Sequence, residues 1–271
     1  MKKAFTLCAA VLYLSACQPA RQEVQEITTE PESEPITEKR SFPENLTKVL
    51  DAHGGYDTWA GMHQLSYIKG TGESAEKQLI ELKTRKVLLT SANHTIGFDG
   101  NEVWINPADA AFGGSPRFYH NLYFYFFAMP FVLSDPGINY SDVEPLSVDG
   151  TDYPGIKISY NEGVGDSPKD NYILYYDAGT FQMQFLQYTV TYRSQEINDD
   201  YRLIKYSDWA NVSGLLLPTK LNWYTYEDGK LGEMKNEAVF SDISIGKEPP
   251  ADELFAIPEG AKIDAKSGAG K

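Results

Sequence analysis

Cysteine and histidine are the side chains best suited to chemistry in this 271-residue sequence, which holds two of the first and four of the second. Cys17 ends the run Leu14-Ser15-Ala16-Cys17. The slim side chains of Ser15 and Ala16 suit a peptidase that needs small residues before its cut. Cys8 lies in the segment such a cut removes. The remaining chain would then carry a single thiol, at its first residue, and could form no internal disulfide, thiolate zinc cluster or cysteine nucleophile elsewhere. His53, His63, His94 and His120 stand apart, and no His-Glu-x-x-His, nucleophile elbow, P-loop or dinucleotide fingerprint occurs. No catalytic set, metal site or cofactor is expected. A hydrolase with a dispersed site on these histidines is a third reading, behind the two given below.

The other conspicuous residues have plain structural readings. His53 follows a helix and precedes two glycines, where a cation interacting with the last carbonyls accounts for it; the alternative is a place near a metal or substrate. His120 reads as a core or cavity histidine, with ligand contact the alternative. Asp99 reads as a turn residue, and Trp59 and Trp104 as core anchors rather than ligand platforms. Asp166-Ser167-Pro168-Lys169-Asp170 lacks the spacing of a calcium loop and reads as a solvated turn.

The sequence around Cys17 has the layout of a secretory signal. Met1-Lys2-Lys3 is positive, and Ala4 to Leu14 is apolar apart from Thr6 and too short to cross a bilayer as a helix. Leu14-Ser15-Ala16-Cys17 resembles the bacterial lipobox. That resemblance implies a cysteine diacylated before cleavage and held in a membrane by palmitate-type chains, each buried CH₂ contributing about 0.8 kcal/mol. The alternative is an ordinary secretory signal with a chance cysteine. Residues 1–16 are therefore expected to be a signal peptide, and 17–42 the lipidated cysteine with a tether. Gln18 to Arg40 is rich in Gln, Glu, Thr and Pro, with only Val24, Ile27 and Ile36 as sizeable apolar residues. Such a stretch cannot offset its ordering entropy and reads as a disordered acidic tether; the alternative is a docking segment that orders on a partner. Gln18 is not the Asp that retains lipoproteins in the inner membrane of some bacteria, so the expected address is the outer membrane, facing periplasm or surface.

Removing residues 1–16 from the 271 leaves 255, room for one sizeable domain or two small ones. The net charge of −14 becomes −16 once Lys2 and Lys3 are lost. An acidic chain has no electrostatic footprint for nucleic acid. An anionic membrane surface would repel it, so attachment must rest on the acyl chains. Aromatic residues make up 13% of the sequence, and rings suit pleated sheets and apolar cavities. A monomer is expected.

The ordered domain is expected over 43–264, with 265–271 a tail and fraying from the small, polar stretch at Asp264 onward. Pro43 to Ala52 reads as a helix stopped by His53-Gly54-Gly55, and Tyr56 to Met62 as a short second turn. From Leu65 the pattern alternates. Strands are expected at Gln78–Leu82 and Lys86–Ser91, with a hairpin over His94–Asn106 turning at Asp99-Gly100. Pro116 to Leu133 is apolar nearly all round and holds His120 and Asn121. It reads as a buried helix capped by Ser115 and ended or kinked at Pro130. After a loop come strands at Ile156–Tyr160, Tyr172–Tyr176 and Phe181–Tyr192. In the last, Leu186, Tyr188, Val190 and Tyr192 share one face, opposite a wet face of Gln187, Thr189, Thr191 and Arg193. Phe181, Met183 and Phe185 are out of phase with it, which calls for a bulge or bend near Phe185. Tyr201–Asp208, Leu217–Tyr226 and Glu233–Ile245 complete the series. The class expected is mainly β (α+β), a large antiparallel sheet that curls as it twists and whose concave face needs a filler. The aromatic segment is that filler, either completing a core or lining a cavity.

Several segments resemble, in order over about residues 65–262, the LolA/LolB-like superfamily of lipoprotein carriers and receptors. These are Phe98-Asp99-Gly100-Asn101-Glu102-Val103-Trp104-Ile105-Asn106-Pro107, Tyr176-Asp177-Ala178-Gly179-Thr180, Gly214-Leu215-Leu216-Leu217-Pro218 and Asp252 to Ala261 with its Phe255, Pro258 and Gly260. His53-Gly54-Gly55 followed by Trp59 also resembles an uncharacterised lipoprotein family of Bacteroidetes-type envelopes. The first resemblance implies an eleven-stranded half-barrel closed by helices, with an apolar cavity for acyl chains. The lipid anchor departs from the soluble carrier and favours a receptor-like or fixed lipid-binding role over a shuttle. Lipid, acyl chain or lipoprotein is the expected ligand, with Phe118, Leu122, Tyr123, Phe126, Phe127 and Phe131 as cavity residues. The second reading is an envelope protein–protein interaction module with a filled core.

Overall fold

The computed structural model describes residues 40–161, 169–192, 194 and 196–265. Cys17, the signal segment, most of the tether, Asp166-Ser167-Pro168 and the tail beyond residue 265 lie outside the described residues. No helix among the described residues is long and apolar enough to cross a membrane.

Helix α1, Glu44–Ala52, buries Leu46, Val49 and Leu50, a spacing that lines up one face. Gly54 follows it with φ +106, and a Cβ there would lie 2.1 Å from the Gly214 carbonyl oxygen. Only glycine fits that close approach. Helix α2, Tyr56–Ala60, delivers Trp59, whose ring stacks on Phe131 at 4.8 Å.

Among the described residues thirteen strands form one sheet: β1 Gln64–Lys69, β2 Glu76–Glu81, β3 Val87–Thr90, β4 Thr95–Phe98, β5 Val103–Asn106, β6 Ile138–Val148, β7 Thr151–Tyr160, β8 Tyr172–Tyr176, β9 Met183–Tyr188, β10 Arg202–Val212, β11 Leu215–Glu227, β12 Lys230–Gly246 and β13 Lys262–Asp264. Their order is β13-β5-β4-β3-β2-β1-β12-β11-β10-β9-β8-β7-β6, and all pairings are antiparallel. Two meanders, β1–β5 and β6–β12, are thus joined side by side through β1 and β12. The sheet is mainly β as expected, with thirteen strands in place of the eleven the family resemblance implied.

The chain must pass from β5, near one edge of the sheet, to β6 at the other. The aromatic segment makes that crossing, so the topology itself puts it across the sheet face. Flat, thirteen strands would span roughly 55–60 Å. Helix α4, Leu122–Phe127, is only about 9 Å long. Yet Phe127 touches Tyr67 of β1 and Phe240 of β12, and Phe126 touches Tyr188 of β9. The sheet is therefore curled around α4, and one core joins residues of both meanders to Phe124, Phe127, Met129, Phe131 and Leu133.

The expected single helix is broken into α3, Pro116–Tyr119, then α4, then a 3₁₀ turn at Phe131–Ser134. Ser115 caps the start, its Oγ accepting from the Phe118 N–H at 3.2 Å. The break falls at His120, whose Nδ1 lies 2.5 Å from the Arg117 carbonyl. The imidazole thereby competes for the acceptor that the Asn121 N–H would use in a continuous helix.

Three further expectations change. β6 and the first half of β7 occupy what reads as a loop. β6 is an edge strand, buried only at Leu146 and Val148, and it bulges at Glu144-Pro145 opposite Pro154, so its pattern is neither regularly alternating nor apolar. Strand β9 ends at Tyr188. Beyond it Thr189 and Thr191 are buried, at 0% and 1% exposure, instead of wet. Thr191 donates through N and Oγ1 to the Asp170 carboxylate, at 2.6 and 2.7 Å. Asp264 does not fray, because its β13 pairs with β5.

The phase problem before Leu186 resolves as a bulge. Tyr175 pairs with Phe185 and Tyr176 with Met183, leaving Gln184 as the extra residue. Met183 then faces the main core, and Phe185 the opposite face with Ile173, Tyr175 and Leu203. The tip of the β6–β7 hairpin covers that second face through Leu146 and Val148. It is tied to the β11–β12 tip by Asp149 N–H to the Gly229 carbonyl at 3.0 Å and by Tyr226 Oη to the Ser147 carbonyl at 2.7 Å.

Candidate ligand-binding cleft

Every residue of α4 is apolar or aromatic, so the helix has two apolar sides to satisfy. Phe124 and Phe127, three apart, are fully buried in the core. Leu122, Tyr123 and Phe126 form the other side and, with Phe118 of α3, make one wall of an open cleft of about 650 Å³. The opposite wall comes from the neighbouring ends of β9–β12: Gln187, Tyr188, Arg202, Leu203, Trp223 to Tyr226, Lys235 and Asn236, with Tyr201 and Val190 beside them.

The walls are held by specific contacts. Phe126 lies 4.9 Å from the Tyr188 ring and 5.8 Å from that of Trp223. Tyr206 Oη donates to the Phe126 carbonyl at 2.7 Å, fixing the helix end over β10. Trp223 Nε1 donates to Tyr188 Oη at 2.9 Å. Burial raises the Tyr188 phenol above its ordinary range, against the opposing hydrogen bonds of Trp223 and Arg202. Burial also raises Tyr123, as does the Glu76 charge, against a hydrogen bond from Asn236. Both phenols are therefore neutral near pH 7 and present hydroxyls rather than charges.

Behind Tyr123 a buried polar chain latches the aromatic segment to β1 and β2. Tyr67 Oη donates to Gln78 at 2.6 Å, and Gln78 to Glu76 at 2.6 Å. Tyr119 Oη donates to the same Glu76 oxygen at 3.2 Å. Lys69 Nζ sits 4.2 Å from the Tyr123 ring centroid, a cation–π contact. Burial lowers the Lys69 ammonium from its ordinary value, and the Glu76 charge opposes that.

Of the six cavity residues expected from sequence, Phe118, Leu122, Tyr123 and Phe126 line the cleft. Phe127 and Phe131 do not; both are fully buried, stacked on Tyr67 at 4.3 Å and on Trp59 at 4.8 Å. The strand-end residues were missed. Trp223-Tyr224-Thr225-Tyr226 is an aromatic cluster visible in sequence, but only the curl of the sheet brings it to α4.

The histidines are dispersed. His53 is fully buried and bridges α1 to β9, with Nδ1 2.7 Å from the Val49 carbonyl and Nε2 accepting from the Met183 N–H at 3.4 Å. Burial lowers its pKa to about 4, so it is a neutral linker and not the helix-terminal cation its position suggested. His63 lies 3.8 Å from Glu81, His94 packs on Phe112 and His120 on Phe98. Among the described residues no group of three or more His, Cys, Asp or Glu could hold a metal ion. Trp104 and Trp59 are buried, Trp104 Nε1 donating to the Phe255 carbonyl at 3.2 Å. Asp99 closes its turn, accepting from the N–H groups of Asn101 and Glu102.

Residues 114–236, from the start of the aromatic segment into β12, match a family described as a family of unknown function, DUF6503. In structure the chain is similar to a LolA superfamily protein from Nitrosomonas europaea, at 11% identity, covering 79% of this chain and 96% of that one, with a TM-score of 0.45. It is also similar to a DUF1329 family protein from Desulfovibrio piger (11% identity, 78% and 95% covered, TM-score 0.46). A further likeness is to the lipoprotein LppX of Mycobacterium tuberculosis (12% identity, 55% and 88% covered, TM-score 0.23). No curated protein matches. Function has to be read from the chain's own residues.

Proposed function

We propose that this chain is a non-catalytic envelope lipoprotein, anchored through lipid on Cys17, whose cleft between α4 and β9–β12 binds one apolar chain. The observation that carries the reading is the cleft itself. Half of its lining side chains are aromatic, and it remains open beside a core that Phe124, Phe127 and Phe131 already fill. Its volume of about 650 Å³ lies within the roughly 300–1,000 Å³ of small-molecule sites. That size suits a single acyl chain better than the several chains of a lipoprotein anchor.

Mass spectrometry of natively purified protein should detect a co-purifying lipid, and a fluorescent fatty acid should bind one to one. L122W, which fills the cleft from the α4 side, should weaken that binding at least tenfold without lowering stability by more than about 1.5 kcal/mol, since Leu122 is only half-buried. Absence of any lipid and of fatty-acid binding would remove the proposal. The filled core favours the second reading, a docking module for an envelope partner. In that case L122W would abolish nothing, and partner capture would persist in it.

A further inference from the structure

The sequence has 38 acidic against 24 basic residues. The cleft reverses that balance. Its described lining contains Arg202 and Lys235 and neither Asp nor Glu. A cleft that only shielded apolar surface would have no reason to exclude the commoner charge.

The two cations stand among hydrogen-bond donors. Arg202 stands opposite Tyr188 in the β9–β10 register, near enough for its charge to lower the phenol's pKa, and the phenol oxygen accepts from Trp223 Nε1 at 2.9 Å. With its oxygen accepting from Trp223, Tyr188 has its own proton left to give to another group. The planar fork of N–H donors on the Arg202 guanidinium has the geometry that matches a two-oxygen anion. Lys235 is paired with Glu233, which is outside the lining, and both are largely exposed. An exposed pair of this kind is held weakly, so the ammonium can turn to a bound anion at little cost. Across the cleft Phe118, Leu122 and Phe126 offer no polar side-chain atom, and the Tyr123 hydroxyl is the one polar side-chain group on that wall. The site therefore has two walls of different chemistry, one mainly apolar and one carrying both cations.

We infer that the cleft takes a single-chain anionic amphiphile, its tail against Phe118, Leu122 and Phe126 and its oxyanion head at Arg202, Lys235 and Tyr188. This rests on the apolar-chain reading above and adds the sign and place of the head group. The recognised chemistry is an oxyanion on one acyl chain, whether a carboxylate or a phosphate monoester.

The test uses the full mature chain carrying C17S, so that no anchor of its own competes. Palmitate, hexadecyl phosphate, hexadecanol and hexadecyltrimethylammonium are titrated as displacers of a fluorescent fatty acid. Palmitate or hexadecyl phosphate should displace at least tenfold better than hexadecanol, and the ammonium worst. Whichever of the two anions is preferred identifies carboxylate or phosphate as the head. The double variant R202Q/K235Q should erase the preference for the anions over hexadecanol. An unchanged circular dichroism spectrum and melting temperature show that the variant is folded. Equal displacement by acid and alcohol, or a preference that survives R202Q/K235Q, would overturn the inference and leave the apolar cleft standing. Failure of every probe would overturn both.

Discussion

At the scale of single residues, the most consequential is His53, which has nothing to do with the cleft. Its neutral ring joins the C-terminal turn of α1 to β9, and its own carbonyl accepts from the Leu216 N–H at 2.9 Å. Charging the ring would bury an imidazolium. The folded-state pKa of about 4 lies below the ordinary 6.5, so between those values the unfolded chain holds the proton and the folded chain does not. Stability contributed by this group is thus complete above pH 6.5 and falls as pH drops toward 4, by about 3 kcal/mol in all. Urea midpoints measured from pH 7.5 to 4 should show that decline, and H53Q should flatten it while lowering stability at pH 7.5. A wild-type profile flat through this window would show that His53 does not titrate as its burial dictates. The sequence exposed the residue, through its place before Gly54-Gly55, but could not set its charge. The helix-end position favours a cation, and only burial under Phe131 and Trp209 reverses that.

At the scale of elements, the aromatic segment is anchored at its start by the C-terminal strand. Asp264 Oδ2 accepts from Ser115 Oγ at 2.7 Å and from the Arg117 N–H at 2.9 Å, and its carbonyl accepts from Arg117 Nε at 2.9 Å. Arg117 is itself buried, with Glu102 at 3.6 Å. D264A therefore strands two donors beside a buried cation and should cost roughly 2–3 kcal/mol. The loss should concentrate in hydrogen-exchange protection of residues 115–127, and D264N, which keeps an acceptor, should recover part of it. Unchanged protection there would show that β13 does not hold the segment. Much of this element was legible. Ser115-Pro116 marked the start, and the all-round apolar pattern marked burial between two surfaces. The break at His120 was not, because it depends on a side chain capturing the Arg117 carbonyl. Strand β6 was hidden for a different reason. An edge strand with charges and a proline-bearing bulge lacks the alternation that reveals a strand. A bulge or bend near Phe185 could be read from the phase slip, since a two-residue period does not change phase in a regular strand, and the pairing of β8 with β9 makes it a bulge at Gln184.

At the scale of the whole molecule, the acidity of the chain decides how the proposed anchor must work. With 14 more negative than positive charges, the protein gains nothing from an anionic membrane surface and is repelled by it. No described helix can span a bilayer. Membrane attachment through the N-terminus would then rest on the acyl chains alone. One chain gives marginal, reversible binding and two give stable anchoring. The expected behaviour follows from that division. The full-length protein should sediment with membranes and stay there in 1 M salt, because salt screens charge and leaves acyl burial intact. C17A should move most of the protein out of the membrane pellet, or halt it as an uncleaved precursor still carrying residues 1–16. Mass spectrometry of the N-terminal peptide separates the two outcomes. A C17A protein that is cleaved normally and still pellets with membranes would mean that another part of the chain holds it there. The cleft proposed to select oxyanions would then have to be reconsidered as a membrane-docking site in its own right.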